Sequence, residues 1–195
     1  MRTDGSSLRH DPVSMSEARR AFAAHPFAAF IATGFGSGLS PVMPGTAGSV
    51  VGLVLGGLFA RAFASHTTSM GLAVGLLASG LVAGLVGVFA SETVCRTLGA
   101  EDPGCVTIDE VSGQLIACAA IPLLPALPRG LPAWVVWLAA FVLFRFFDIV
   151  KPGPIRTVQE LRGGWGVVVD DVLGGVAAGA VLAGGAWLAA RLGWI

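Results

Sequence analysis

Acidic residues stand at three points of this chain where an apolar segment begins or ends. Asp109-Glu110 precede one such segment, Asp148 closes another, and Asp170-Asp171 open a third. Carboxylates next to hydrocarbon are costly unless a cation or a metal ion neutralises them. A converging set could not stay ionised without a counter-ion, and Mg²⁺ prefers oxygen ligands of this kind. The pattern predicts a metal site with the ligands Asp109, Glu110, Asp148, Asp170 and Asp171.

Helix capping is the alternative explanation for these acids. A carboxylate is favourable at a helix N-terminus, where backbone N–H groups are unpaired and the helix dipole is positive. Capping could account for Asp109, Asp170 or Asp171 taken singly. It does not account for Asp148, which closes its segment at the end where the dipole opposes a negative charge. The set as a whole therefore favours a functional role.

Cations accompany one of the acids in the segment FRFFDIVKPGPIR. Arg145, Asp148 and Lys151 follow one another at spacings of three, which places them near one face of a helix. A carboxylate flanked by two cations suits a metal ligand beside a phosphate-binding site. Arg156, at the end of the segment, is expected to contribute to substrate binding. A local ion pair that neutralises Asp148 is the alternative.

Three known types of phosphatase chemistry are not indicated by the sequence. No Cys is followed six positions later by Arg, as in a cysteine phosphatase loop, and no DxDxT motif of a haloacid-dehalogenase-type aspartyl nucleophile occurs. The three histidines are scattered, which disfavours a histidine-nucleophile lipid phosphatase. The Gly-rich stretch GSGLSPVMPGTAGS could cradle an anion with its backbone N–H groups. It lacks the Lys of a P-loop, and a plain turn explains it equally well. Of the phosphatase mechanisms considered, attack by water assisted by a metal ion is the one that the sequence leaves open.

The composition indicates which elements position these residues. Hydrophobic residues make up 54% of the 195-residue chain and charged residues only 12%, whereas soluble domains carry about 25% charged residues. A bilayer is therefore expected to solvate much of the surface. The net charge of zero gives no indication of a nucleic-acid partner. Three cysteines without a CxxC motif indicate neither a disulfide framework nor a zinc site.

The apolar segments predict an all-α fold, a polytopic membrane helical bundle with about four to five spanning helices. A spanning helix needs about 20 apolar residues. Candidate spans cover about Ala47–Ala64, Met70–Ala90, Val111–Leu127, Leu131–Phe147 and Val172–Ala190. The apolar stretch Phe27–Leu39 is broken by glycines and is interpreted as an interfacial or re-entrant segment, with a full span as the weaker alternative. Residues 1–26 are interpreted as a polar cytoplasmic tail and residues 27–195 as one membrane-embedded domain.

Threading these spans through a bilayer brings every acidic cluster to one membrane face. The Gly-rich stretch and most Lys and Arg residues fall on that face too. Cytoplasmic loops carry an excess of Lys and Arg, so this face is predicted to be cytoplasmic.

Four motifs in this order resemble the phosphatidylglycerophosphatase A family. They are GFGSGLSPVMPGTAGS, DPGCVTIDEVSGQ, FRFFDIVKPGPIR and GGWGVVVDDVLGG, and the resemblance extends over roughly residues 34–179. It implies a multi-pass protein of the bacterial inner membrane with a helical fold. It also implies Mg²⁺-dependent removal of the terminal phosphate of phosphatidylglycerophosphate, which leaves phosphatidylglycerol.

The family motifs extend to individual residues of this chain. Asp109-Glu110 match the DE pair, Asp148 and Lys151 the DxxKP element, Asp170-Asp171 the DD pair, and Thr46 the threonine of PGTxGS. The chain departs from the family between the KP and GG motifs. An Asp is frequent there, but only Glu160 is present and residues 155–163 are slightly shortened. Met is frequent where Val168 stands, a difference interpreted as packing.

These matches yield an expected division of roles. Asp109, Asp148, Asp170 and Asp171 would hold one or two Mg²⁺, while Glu110 would be a further ligand or the base that orients the water. The expected catalytic residues are Glu110, Asp109, Asp171 and Lys151, and the expected substrate-binding residues are Thr46, Arg145, Lys151 and Arg156.

Two other functions remain open from the sequence alone. A small membrane transporter would explain the Gly-rich apolar segments, but it predicts charges near helix midpoints or a repeated half. A non-enzymatic membrane assembly factor is the second, and it leaves the converging acids unexplained.

Overall fold

The computed structural model describes residues 15–100, 102–125, 131–158 and 163–194, and all of its regular elements are helical. The α-helices are α1 (Met15–Ala24), α2 (Pro26–Ala32), α3 (Pro44–Phe63), α4 (Ser69–Leu98), α5 (Ile108–Cys118), α6 (Trp134–Val150), α7 (Pro154–Val158) and α8 (Gly164–Arg191). Two short 3₁₀ turns, Ser37–Leu39 and Ile121–Leu123, complete the described elements. The predicted all-α fold is confirmed.

Helix α5 is the centre of the bundle. Every one of its 11 residues except Glu110 is buried, because α3, α4, α6 and α8 all pack around it. At about 1.5 Å per residue it is roughly 16 Å long, too short to cross a hydrocarbon core of about 30 Å. The sequence predicted a span over Val111–Leu127, but the helix ends at Cys118 and a 3₁₀ turn containing Pro122 follows. Residues 126–130 lie outside the described part of the chain.

Three of the surrounding helices are long and apolar enough to span a membrane. Helices α3, α4 and α8 have 20, 30 and 28 residues, and their outward faces carry apolar side chains such as Val54, Phe89 and Val181. Helix α6, with 17 residues, stands at the lower end of the length that can span. The molecule is thus a membrane-associated helical bundle whose described residues contain three candidate spans, or four with α6, which is roughly consistent with the four to five predicted.

The N-terminal helices pack beside the bundle. Helix α1 lies within the stretch predicted as a polar tail, and it buries Ala18 and Ala21. Helix α2 has only seven residues, so the stretch Phe27–Leu39 does not form a full span. Its end is tied to the bundle, because the Thr107 backbone N–H donates to the Ala32 carbonyl at 2.8 Å. Residues 1–14 of the predicted tail lie outside the described residues.

Glycines allow α8 to approach α5 at backbone distance. A Cβ on Gly175 would collide with the carbonyl oxygen of Gly113, and a Cβ on Gly113 would meet the Phe144 ring and the Asp171 carbonyl oxygen. Small residues are a common means of close helix packing in lipid. The α5–α8 crossing therefore sets how near Asp171 comes to the N-terminal end of α5.

Replacing Gly175 by Ala should force α8 away from α5. Overpacking of this kind costs about 1–3 kcal/mol, so the melting temperature in detergent should fall. Gly185→Ala is the matched control on the same helix, because a Cβ there would meet no packing neighbour within 4 Å among the described residues. Equal melting temperatures for the two variants, measured by differential scanning fluorimetry, would contradict a tight crossing at Gly175.

Candidate metal and phosphate site

Residues near three helix ends bring most of the predicted site residues together. The N-terminal turn of α5 carries Asp109 and Glu110, the C-terminal end of α6 carries the cations and Asp148, and the second turn of α8 carries the two remaining acids. The structure brings together Asp109, Glu110, Arg145, Asp148, Lys151, Asp170 and Asp171.

Three of the carboxylates form the centre of this site. Asp109, Glu110 and Asp171 each offer one oxygen, and these oxygens all lie within 4.8 Å of one another. Asp109 and Asp171 are 9% and 2% exposed. Such a grouping of oxygen donors suits a hard divalent cation.

Several carboxylate oxygens at this centre have no hydrogen-bond partner within the part of the chain that the structure describes. Asp109 Oδ1, Glu110 Oε2 and Asp171 Oδ2 are buried without one, and so is Asp170 Oδ1 on the adjacent residue. Leaving a buried acceptor unsatisfied costs about 1–3 kcal/mol, and more for a charged group. Three of these oxygens belong to the residues whose carboxylates converge within 4.8 Å of one another, so the residues present fit a divalent metal ion.

The electrostatics of the α5 acids support the same interpretation. Burial raises the pKa of Asp109 well above its usual range, and the charge of Glu110 adds to the effect. Burial likewise raises the pKa of Glu110 to about 8, with further contributions from the charges of Asp171 and Asp148. Protein alone thus favours the protonated acids near neutral pH. A bound cation would displace those protons, so its affinity should rise with pH.

The other two predicted ligands are already paired with cations. Arg145 Nη1 lies 2.5 Å from Asp148 Oδ2, and both side chains are largely buried. Lys151 Nζ lies 2.5 Å from Asp170 Oδ2, with Asp170 almost fully buried. The local ion pair considered for Asp148 is therefore present. Asp170 differs because its second oxygen remains unpaired.

Lys151 is held in place by the backbone as well as by its ion pair. It ends α6 in a left-handed conformation with φ of 45°, and its N–H donates to the Phe147 carbonyl at 2.9 Å. Burial disfavours its charge, but the neighbouring Asp170 outweighs that effect and raises the pKa of Lys151 above its usual value. Lys151 is therefore a permanent cation beside the carboxylates.

Helix α3 contributes two residues to which the sequence analysis assigned no role in the site. Ser49 Oγ donates to the Gly45 carbonyl oxygen at 3.0 Å and accepts from Arg145 Nη1 at 3.3 Å. Gly45 lies so close to Glu110 that a Cβ there would collide with the carboxylate. The PGTAGS motif contained this signal, since its small residues recur at helical spacing.

Two predicted substrate-binding residues lie apart from this centre. Thr46 lies on the flank of α3, where it lines a shallow apolar depression with Val42, Met43 and Val50. Arg156 is exposed on α7, and within the described residues no hydrogen bond or ion pair joins it to the carboxylates. Glu160 falls in residues 159–162, which lie outside the described part of the chain.

Comparison with known proteins identifies the family. The family model of phosphatidylglycerophosphatase A matches residues 30–186, most of the chain. The chain belongs to the phosphatidylglycerophosphatase A family. This membership confirms the resemblance in the four motifs and makes the chain a phosphatase.

Curated relatives agree with this assignment. A phosphatidylglycerophosphatase A of Haemophilus influenzae is 39% identical over 147 residues, which cover 75% of this chain and 80% of the relative. One of Escherichia coli is 32% identical over 175 residues, 89% of this chain and 90% of the relative. A Bacteroides thetaiotaomicron protein with the provisional name phosphatidylinositol-3-phosphatase is 37% identical over 158 residues, 81% and 92% of the two chains. No solved structure matches the chain.

Replacing one carboxylate should abolish cation binding without lowering the stability of the metal-free protein. Asp109→Asn relieves repulsion among buried acids, so without divalent cations its melting temperature should equal or exceed that of the unaltered chain. A saturating cation, at about 100 times its Kd, stabilises a folded site by about 2.7 kcal/mol. That gain should be absent in Asp109→Asn and kept in Asp102→Asn, whose side chain is exposed. A cation-induced shift of equal size in both variants, measured by thermal unfolding, would rule out Asp109 as a ligand.

Proposed function

We propose that this protein hydrolyses the terminal phosphomonoester of phosphatidylglycerophosphate in a Mg²⁺-dependent reaction that yields phosphatidylglycerol and phosphate. The observation that carries the proposal is the group of unpaired, buried carboxylate oxygens on Asp109, Glu110 and Asp171 beside the cations of α6. Membership of the phosphatidylglycerophosphatase A family supports the choice of reaction.

Mg²⁺ would be held chiefly by Asp109, Glu110 and Asp171, with the free oxygen of Asp170 completing the set. Asp148 would join only if it exchanged its bond to Arg145 for the metal. When bound, the cation would polarise the phosphoryl group and lower the pKa of a coordinated water. The carboxylates keep that charge fixed between α5 and α8, where water is largely excluded, and electrostatic stabilisation is stronger there than in bulk solvent.

Arg145 and Lys151 are the groups that would bind the substrate phosphate. Each is partly buried and anchored to a carboxylate at 2.5 Å, so each offers its remaining N–H donors in a fixed direction. Arginine binds phosphate through two parallel hydrogen bonds, whereas lysine acts as a point charge. Together they would offset the charge that develops on the phosphoryl oxygens.

Glu110 is the residue best suited to accept the proton from the attacking water. Its Oε2 has no partner among the described residues, and burial makes its carboxylate more basic than that of an ordinary glutamate, with a pKa raised to about 8 in the metal-free protein. In the metal-bound state it would act either in this way or as a ligand.

The location of the site at helix ends suits a lipid substrate. The acyl chains would remain in the bilayer while the phosphate reaches the carboxylates in the headgroup layer, without extraction of the lipid. The concentration of Lys and Arg on this face favours its placement on the cytoplasmic side of a bacterial inner membrane.

Phosphate release from defined lipids tests this proposal. Purified protein in mixed micelles should hydrolyse phosphatidylglycerophosphate with Mg²⁺ and lose that activity in EDTA. Asp171→Asn and Lys151→Gln should each lower kcat by about 100-fold or more. Arg61→Gln is the control, because Arg61 is exposed in the last turn of α3, away from the site, and it should keep full activity.

The same assay discriminates between lipid headgroups. Phosphatidylinositol 3-phosphate, suggested by the name of one relative, should be a poorer substrate by kcat/KM. Faster hydrolysis of the phosphoinositide would transfer the proposal to that lipid class. Full activity in EDTA or in Asp171→Asn would overturn the metal-dependent mechanism.

A further inference from the structure

Helix α8 begins without a capping side chain of its own. Its N-cap residue is Gly163, which has no side chain to accept a hydrogen bond. The first N–H groups of any α-helix lack partners within the helix. Here the partner comes from another helix, since the Gly164 N–H donates to Glu92 Oε2 of α4 at 2.9 Å.

Two glycines adapt the start of α8 to this one turn of α4. Gly163 has φ of 66°, a conformation that favours glycine, and a Cβ there would collide with the Glu92 carboxylate. A Cβ on Gly164 would collide with the carbonyl oxygen of Val88, one turn earlier on α4. The backbone of α8 is therefore seated directly on the segment Val88–Glu92.

The Glu92 carboxylate is itself oriented by a second residue of α4. Arg96, one turn further along α4, donates from Nε to Glu92 Oε1 at 2.6 Å. One oxygen thus faces Arg96 and the other faces the start of α8. Because the Arg96 side chain is 80% exposed, the ion pair adds little stability, but it holds the carboxylate in the capping geometry.

The cap lies on the same rigid helix as two of the site acids. Asp170 and Asp171 follow Gly164 by six and seven residues on α8, a distance of about 10 Å at 1.5 Å per residue. A shift of the α8 start would carry both carboxylates with it. Misplacement of reacting groups by about 1 Å can lower a rate by about 100-fold.

We propose that Glu92 is a positioning residue, which caps α8 from α4 and thereby sets the place of Asp170 and Asp171 relative to Asp109 and Glu110. It touches none of the reacting atoms and acts through the backbone of α8. The inference rests on the proposed metal-dependent function and extends it to a residue of α4.

Three variants test this inference. Glu92→Ala removes the acceptor, Glu92→Gln keeps an oxygen that can accept from the Gly164 N–H, and Thr68→Ala is the control. Thr68 caps α4 at its opposite end, where its Oγ1 accepts from the Gly71 N–H at 3.1 Å. Loss of either cap should lower the melting temperature by a few degrees, about 2–4 °C. The control therefore matches the loss of stability without touching α8.

The discriminating readout is the Kd for Mg²⁺ from isothermal titration calorimetry, with kcat measured in parallel. We expect Glu92→Ala to weaken Mg²⁺ binding by about 10-fold or more and to lower kcat. Glu92→Gln should stay within about 2-fold of the unaltered chain in both quantities, and Thr68→Ala should leave both unchanged.

An unchanged Kd and kcat in Glu92→Ala would overturn the inference, and so would an equal weakening in Thr68→Ala. A loss in Glu92→Gln as large as in Glu92→Ala would overturn capping as the route. Failure of the proposed function would be recognised separately, because the unaltered chain would then neither bind Mg²⁺ nor require it.

Discussion

Three carboxylates that lie side by side, each with a buried oxygen left without a hydrogen-bond partner among the described residues, are the constraint on which this molecule depends. Asp109, Glu110 and Asp171 lie on two helices that only backbone-to-backbone packing at Gly113 and Gly175 can bring so close. Their unpaired oxygens oppose folding, since each is removed from water without a partner. The rest of the bundle must therefore offset that cost through apolar packing around α5. Active sites commonly contain groups that lower the stability of the fold in this way.

The surrounding cations show how the remaining acids are used. Asp148 and Asp170 each neutralise one cation of α6 and hold it beside the open centre. Asp109, Glu110 and Asp171, and one oxygen of Asp170, keep oxygens that have no partner among the described residues. In the proposed mechanism this arrangement would place positive charge beside the phosphate and would leave the metal ligands free. In that mechanism one group of residues would serve both metal binding and phosphate binding, with the lipid chains remaining in the bilayer.

Much of this could be predicted from the sequence, and the remainder has physical causes. The apolar segments gave the helical membrane fold, and the acids at their ends gave the convergence of Asp109, Asp148 and Asp171. The burial of α5 could not be predicted, because a helix that faces lipid and a helix that is buried in protein both have apolar sequences. Helical rotation of about 100° per residue explains why Gly45 and Ser49 face the site while Thr46, predicted by motif, lies on the flank. The contact of Glu92 with Gly164 joins residues 72 positions apart, so local patterns carry no trace of it.

The central claim is that carboxylates from α5 and α8 share one divalent cation, and anomalous diffraction from crystals grown with Mn²⁺ tests it most directly. Mn²⁺ accepts the same oxygen ligands as Mg²⁺ and can be located by its anomalous signal. We predict a strong peak bonded to oxygens of Asp109, Glu110 and Asp171. A map without a peak at these residues, from crystals that retain Mn²⁺ and activity, would contradict the account.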